Sequence, residues 1–283
     1  MTRPGACLLF SQSVVNAMGT PFRVKGCWGL VLIALMASCQ ARSPSSAQSI
    51  ALQPLFSGYP PALLPKLTPP PSPEAKAEAA TFRARGINLR NQGQMEAAIA
   101  ALVNAVDLDP TALDGYVILG WTQHLNDQRS AAIETLNAAL QQESDYVPAL
   151  NALGIVYLVD GQLEAAVTTH RQAQSLSPEN EIAAYNLSLA YQRLREFEQA
   201  IAQAQLATDL EPQNPHKWVA LAIAHHSNSE FELAQQAYAQ AVQLDSRYRD
   251  RGFLSHLEQA GFSAEQIELT AEVASLNSSG LRQ

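Results

Sequence analysis

Histidine, cysteine and carboxylate side chains are where this 283-residue chain could bind metal, carry a nucleophile or pass a proton. The histidines are His124, His170, His216, His225, His226 and His256. No two stand at i, i+4, the helical spacing that brings a pair of imidazoles to one zinc ion. His225 and His226 are neighbours, about 100° apart around a helix, so they cannot share a metal there. His170 falls in a column of packing residues and is expected as half-buried core. Cys7, Cys27 and Cys39 are the three cysteines, and nothing after Cys39 is a thiol. That excludes a disulfide framework, a thiolate metal site and a cysteine nucleophile from the remainder. The sequence has no G-x4-GK[ST] phosphate loop, G-x-S-x-G elbow, H-E-x-x-H pair or calcium loop. Its carboxylates are scattered over helix surfaces, where solvation is the default. The chain therefore reads as a non-enzyme that needs no cofactor and no metal.

The charge balance narrows the partners. Eighteen Lys and Arg stand against 26 Asp and Glu, a formal charge of −8. A nucleic-acid binder needs a basic stripe to displace counterions from phosphate, so that class is excluded. With 47% hydrophobic and 16% charged residues, most of the chain should fold into one or two domains with a sizeable core.

The segment before Cys39 stands apart. Residues 26–38, GCWGLVLIALMAS, form an apolar run that follows Arg23 and Lys25, and no acidic residue precedes Glu74. As a helix the run would rise about 20 Å, short of a hydrocarbon core of about 30 Å. A basic start, a short apolar stretch and small residues behind it are the parts of a secretory signal peptide over 1–38, with Met18 as a possible true start. Its end, Leu35-Met36-Ala37-Ser38-Cys39, resembles the lipobox of bacterial lipoproteins, with Met36 where leucine is usual. The resemblance implies cleavage before Cys39, a lipid on its thiol, and a membrane-anchored protein on the periplasmic side of the cell envelope. Cleavage after Ala41 or Ala47, giving a soluble secreted or periplasmic protein, and an uncleaved anchor are the alternatives.

Between Cys39 and residue 73 the composition changes again. Residues 40–73 hold nine of the sixteen prolines, including Pro60-Pro61 and Pro69-Pro70-Pro71. Proline fixes φ and lacks an N–H, so the segment should be an extended spacer rather than helix or central strand. A spacer can hold a folded domain away from a membrane.

From Ala79 the chain repeats with a period of about 34 residues. Pro110, Pro178 and Pro212 fall in step, with Ser144 and Ser246 at the same place in the other units. Alanine recurs twelve residues earlier at Ala98, Ala132, Ala166, Ala200 and Ala234, and five residues earlier at Ala105, Ala139, Ala173, Ala207 and Ala241. Gly86, Gly120, Gly154, Ser188 and Ala222 make a third small column. Such columns are required where two helices cross so closely that only small side chains fit. Gly93, Gly161, Asn126-Asp127 and Asn228-Ser229 mark the turn inside a unit.

These columns resemble the tetratricopeptide repeat family, whose pattern runs W-x2-L-G-x2-Y, then A-x3-F, then A and P. Tyr116-Val-Ile-Leu119-Gly120, Leu153-Gly154-x2-Tyr157 and Trp218-x2-Leu221 carry pieces of its opening. The resemblance implies an all-α fold: a right-handed solenoid of five helix-turn-helix repeats over 79–112, 113–146, 147–180, 181–214 and 215–248, within a domain of 74–248. Residues 249–283 follow as a C-terminal helical cap. Phe253, Leu254 and Leu257 give one amphipathic helix ended by Gly261, and Ser263 with Gln266 forms a capping-box pattern for a last helix near 263–276. Ile267, Ala271 and Ala274 are expected to seal the fifth repeat.

In this family the fifth and ninth positions of each unit tend to face a concave groove lined by the first helices. By register these are Arg83 and Ile87, Val117 and Trp121, Asn151 and Ile155, Tyr185 and Leu189, and Val219 and Ile223. The row is mostly apolar, with Arg90 and Arg193 nearby, and suits a partner protein's amphipathic helix or extended peptide. Residues of this row could instead be inter-repeat core. His124 and His226 fall on the groove side, where they could tune peptide binding below about pH 6.5. A carboxylate clamp would need asparagine where Ile87, Trp121, Ile155, Leu189 and Ile223 stand, so it is not expected. The function implied is a protein-binding scaffold tethered by a lipid anchor, with no nucleic acid and no small-molecule substrate, serving assembly or localisation of an envelope complex. A self-assembling structural module and an accessory subunit of an envelope enzyme are the alternatives.

Overall fold

The computed structural model describes residues 70–280, with side chains to residue 276. The signal segment over 1–38, Cys39 and nearly all of the proline-rich spacer lie outside the described residues. Among the described residues the secondary structure is helical throughout. In chain order the α-helices are α1 (Pro73–Asn91), α2 (Met95–Leu108), α3 (Leu113–Leu125), α4 (Arg129–Gln142), α5 (Val147–Val159), α6 (Leu163–Leu176), α7 (Glu181–Arg193), α8 (Phe197–Leu210), α9 (Pro215–Ser227), α10 (Phe231–Leu244) and α11 (Ala264–Gly280). Two 3₁₀ helices, Ser246–Arg249 and Arg251–Ala260, join α10 to α11. No helix of the described residues is long and apolar enough to cross a membrane.

Five helix pairs, α1–α2 through α9–α10, stack as a helix-turn-helix solenoid. The small columns explain the pairing. Ala98, Ala132, Ala166, Ala200 and Ala234 have no exposed surface, and the second alanine column is buried beside them. At Gly86 and Gly120 an added Cβ would stand 2.6 and 2.7 Å from Leu102 and Leu136 Cγ, too close for any side chain. The facing column runs Leu102, Leu136, His170, Ala204 and Tyr238, all buried. Where the small residue enlarges to Ser188, the fourth unit supplies the small Ala204 in that column, whereas the fifth unit sets Ala222 against Tyr238.

Each pair turns the same way. Gly93, Asp127, Gly161, Arg195 and Ser229, one per unit in step with the repeat, hold φ of 76°, 57°, 80°, 65° and 63°. The next residue's N–H reaches back to a carbonyl five residues earlier, as Gln94 does to Leu89 and Glu196 to Tyr191 (2.9 Å each). That is the Schellman closure, which needs a left-handed residue. The sequence signals named four of these turns. The fourth-unit turn, at Arg195, carries neither glycine nor asparagine and was legible only from the period.

Between units, helices end where a backbone N–H closes on the alanine column, as Asp109 does on Ala105 (3.1 Å) and Ser177 on Ala173 (3.0 Å). Pro110, Pro178 and Pro212 follow those ends, where no helical N–H is needed. Asn180 and Asn214 then cap α7 and α9 by accepting from the Ala183 and His216 N–H groups, each at 3.1 Å. The helix α1 begins six residues before the first unit, because Ser72 accepts from Ala75 N–H (3.1 Å), Pro73 occupies the first turn, and the residues that follow favour helix.

In the C-terminal region Phe253, Leu254 and Leu257 lie on a helix as expected, of 3₁₀ form, and Gly261 ends it with φ 87°. The capping box at α11 is present: Ser263 N–H donates to Gln266 Oε1 (3.0 Å) and Gln266 N–H to Ser263 Oγ (3.3 Å).

Candidate functional site

The first helices α1, α3, α5, α7 and α9 bring the ten predicted positions into one row, and the structure treats its two halves differently. In the first three repeats, Arg83 forms an ion pair with Asp114 at 3.3 Å and stays partly exposed, as does Ile87. Val117 has no exposed surface, and Trp121 is 7% exposed with its ring centroid 5.1 Å from that of His124. Ile155 is buried. Asn151 is committed elsewhere: it exchanges amide hydrogen bonds with Asn180 at 2.9 and 3.3 Å, tying the third repeat to the cap residue of the fourth. Two polar positions of the row thus staple adjacent repeats instead of lying open.

In the fourth and fifth repeats the row is covered by the chain itself. Tyr185, Leu189, Val219 and Ile223 are buried in one cluster with Leu254, Leu257, Ala260, Phe262 and Val273 of the C-terminal segment. The Tyr185 hydroxyl donates to the Ala260 carbonyl at 2.7 Å, and its ring centroid lies 6.3 Å from that of Phe262. Gln266 Nε2 donates to the Leu189 carbonyl (3.1 Å) and to Gln192 Oε1 (2.8 Å), and Gln192 donates on to Ser227 Oγ (3.0 Å). The expectation that α11 seals the fifth repeat is therefore too narrow, because its start also grips the fourth. Val273 and Ala271 are buried on α11, while Ile267 and Ala274 are only partly so.

The segment does not fill the space beneath it. A cavity of about 320 Å³ lies between the starts of α7 and α9 and the two 3₁₀ helices, lined by Glu181, Tyr185, His216, Lys217, Tyr248 and His256 among others. Lys217 is 4% exposed and forms an ion pair with Glu211. His216 and His256 face each other across the junction, ring centroids 5.4 Å apart, and Tyr248 Oη contacts His256 Nε2 at 3.1 Å. Burial, and then the neighbouring His256, push the His216 imidazole down to about 4, while burial lowers His256 as well. Arg247 grips Asp245 through two of its nitrogens, the shorter contact being 2.7 Å, and its guanidinium sits 4.5 Å over the Phe253 ring.

The other histidines are structural or peripheral. His170 is fully buried rather than half-buried, its ring lying against the Gly154 backbone. Burial drives its pKa down to about 3. His124 is partly buried, and burial followed by nearby Arg129 lowers its pKa. His226 meets the Phe231 ring edge-on at 5.2 Å. Arg193, expected near the groove, donates to the Leu158 carbonyl at 2.7 Å. Among the described residues, no three His, Cys, Asp or Glu side chains gather as a metal site. Sequence reasoning missed Gln192, Lys217, Tyr248 and the long reach of Gln266. The Ser263–Gln266 spacing revealed a helix start, but nothing in it signals a bond to the distant Leu189 carbonyl, two helix pairs back along the chain.

Comparison with known proteins agrees with this geometry. The tetratricopeptide repeat family matches residues 83–148 and 185–249. The comparison with curated proteins gave no significant match. Among solved structures, MamA 41-end from Desulfovibrio magneticus RS-1 is similar with a TM-score of 0.54 at 19% identity, over 60% of this chain and 96% of that one. TTC0263, a thermophilic TPR protein of Thermus thermophilus, gives 0.51 at 22% identity, over 60% and 92%. Another MamA structure gives 0.52 at 20%, over 60% and 93%. At these identities the likeness is one of fold.

Proposed function

The chain belongs to the tetratricopeptide repeat family, and on that premise we propose that it is a non-catalytic scaffold that holds a partner protein at the bacterial cell envelope. Cleavage before Cys39 and lipidation of its thiol tether the protein to a membrane, and the proline-rich spacer holds the repeats away from the surface. The first-helix face receives a helix or extended peptide of the partner, and the complex so formed serves assembly or localisation of envelope machinery. What supports the binding reading is that the face already accommodates such a segment, with Tyr185 and Leu189 holding Ala260 and Gln266 of the same chain. The lipobox-like Leu35–Cys39 sequence supports the tether.

A cross-linked pull-down from native envelopes tests the binding reading. The wild-type chain is compared with a variant carrying Arg83→Glu and Ile87→Glu, at the two partly exposed positions of the row. A protein captured by the first bait and lost from the second identifies the partner, and equal capture by both moves the binding surface elsewhere. Membrane fractionation of Cys39→Ala tests the tether, since retention equal to wild type rules out lipid anchoring through this cysteine.

A further inference from the structure

The cavity of about 320 Å³ is walled by the starts of α7 and α9 and by the two 3₁₀ helices. Its size is at the lower end of the range of small-molecule sites, and a few convergent polar groups line it. We propose that it binds a small organic ammonium compound, an amine on a short apolar or aromatic body. The ligand is bound, not turned over. The inference does not rest on the scaffold reading, which concerns a partner protein.

Hydrogen bonds within the wall leave mainly acceptors for a ligand. Asn214 Nδ2 donates to Glu211, which fixes Asn214 Oδ1 as the acceptor beside His216 Nδ1 at 3.1 Å. Nδ1 therefore carries the proton of the neutral imidazole, and Nε2 is left as a bare acceptor. His256 Nδ1 is turned to the Phe253 carbonyl, which can only accept, so Tyr248 Oη donates to His256 Nε2. Tyr185 Oη donates to the Ala260 carbonyl. Both phenols have thus spent their single proton on the protein and can only accept from a ligand. Asn186 Nδ2 is spent on the Ile182 carbonyl, and the Lys217 ammonium is buried against Glu211. The other side-chain N–H groups of the wall, on Gln213 and Arg247, belong to exposed residues.

Charge selects the same ligand. The carboxylates of Glu181, Glu211 and Asp245 line the cavity against the cations of Lys217 and Arg247. Burial keeps His216 and His256 uncharged at neutral pH, so one negative charge is uncompensated. Arg247 holds Asp245 and Lys217 holds Glu211, which leaves Glu181 without an ion pair among the described residues. Helix starts by themselves favour anions. Here Asn180 and Asn214 cap both with their side chains, and Pro215 brings no N–H. An ammonium offers three donors to these acceptors, and the Tyr185 and Tyr248 rings suit both its charge and its apolar body.

Isothermal titration calorimetry on the full-length chain decides the proposal, with three probes of similar size: phenethylamine, hydrocinnamate and phenethyl alcohol. The amine is expected to bind saturably and about tenfold more tightly than the anion or the alcohol. Glu181→Gln should weaken the amine about fivefold, and Lys217→Met, which frees Glu211, should tighten it about threefold. Circular dichroism checks that both variants remain helical. Opposite shifts in the two variants place the amine in this cavity. No saturable binding of the amine, tighter binding of the anion, or an affinity unmoved by both substitutions overturns the proposal. Tighter binding of Nα-acetyl-lysine N-methylamide than of phenethylamine would give the cavity to a protein's lysine side chain and overturn the choice of a free amine. None of these results bears on the envelope pull-down, so failure here leaves the scaffold reading separately testable.

Discussion

His170 Nε2 stands 2.5 Å from the point where a side chain on Gly154 would begin. The imidazole fills the notch that leucine fills in the first two units, against Gly86 and Gly120. Gly154→Ala must therefore push the ring into a core with no free volume. The expected cost is about 1–3 kcal/mol, read as a lower urea midpoint with unchanged slope.

The same ring makes the fold acid-sensitive. Its pKa falls from an ordinary value of about 6.5 in the unfolded chain to about 3 when folded. The unfolded state thus binds the proton more readily, and stability is full above about pH 6.5 and declines as pH falls toward about 3. The slope contributed is about 1.4 kcal/mol per pH unit. His170→Leu, which copies the first two repeats, should remove that slope and add about 1 kcal/mol at neutral pH by replacing a buried polar ring with an apolar side chain. Denaturant titrations of both proteins at pH 7 and pH 5 measure the difference, and parallel declines would refute the assignment.

Arg195 adopts a left-handed conformation that costs a side chain about 1–2 kcal/mol. Its side chain is exposed, so its replacement removes no buried contact. Arg195→Gly, matching Gly93 and Gly161, should stabilise by about 0.5–1 kcal/mol after the extra flexibility of glycine in the unfolded chain is offset. Differential scanning calorimetry should show a melting temperature raised by a few degrees.

Gln266→Ala leaves the Leu189 carbonyl and the Ser263 N–H without their partner. The expected loss is about 2 kcal/mol, with protease sensitivity rising first in the C-terminal segment. Cleavage first within α5 or α6 would show that the segment is not the weakest part.

Lys217 is the converse case. Its ammonium is buried while Glu211 keeps 40% of its side-chain surface and a hydrogen bond from Asn214. Replacing the lysine with methionine leaves no buried charge behind, so Lys217→Met should change stability by less than about 1 kcal/mol in urea titrations. A loss above about 2 kcal/mol would mean that the ion pair, not the stem, holds this corner.

The regular period made the repeats legible because each column answers a local demand: alanine at a close crossing, glycine or asparagine at a turn, proline past a helix end. Arg195 escaped because tertiary packing imposes the turn on a residue that does not advertise it. The ten positions of the row do lie on the first helices, yet their exposure was not legible. Exposure depends on what else in the chain covers the row, and Tyr185 meets Ala260 from far along the sequence. The Asn151–Asn180 pair was hidden for the same reason, since register says which face a side chain shares but not with whom it bonds.

The uniform left-handed turns also bear on how such a molecule can grow. A duplicated unit inserted among the first three repeats would meet the same turn and the same columns on either side. Inserted between the fourth and fifth, it would carry Tyr185 and Leu189 one whole unit away from the residues that close over them. Lengthening is therefore free at one end and forbidden at the other, and longer forms of this architecture should have acquired their additional units toward the spacer.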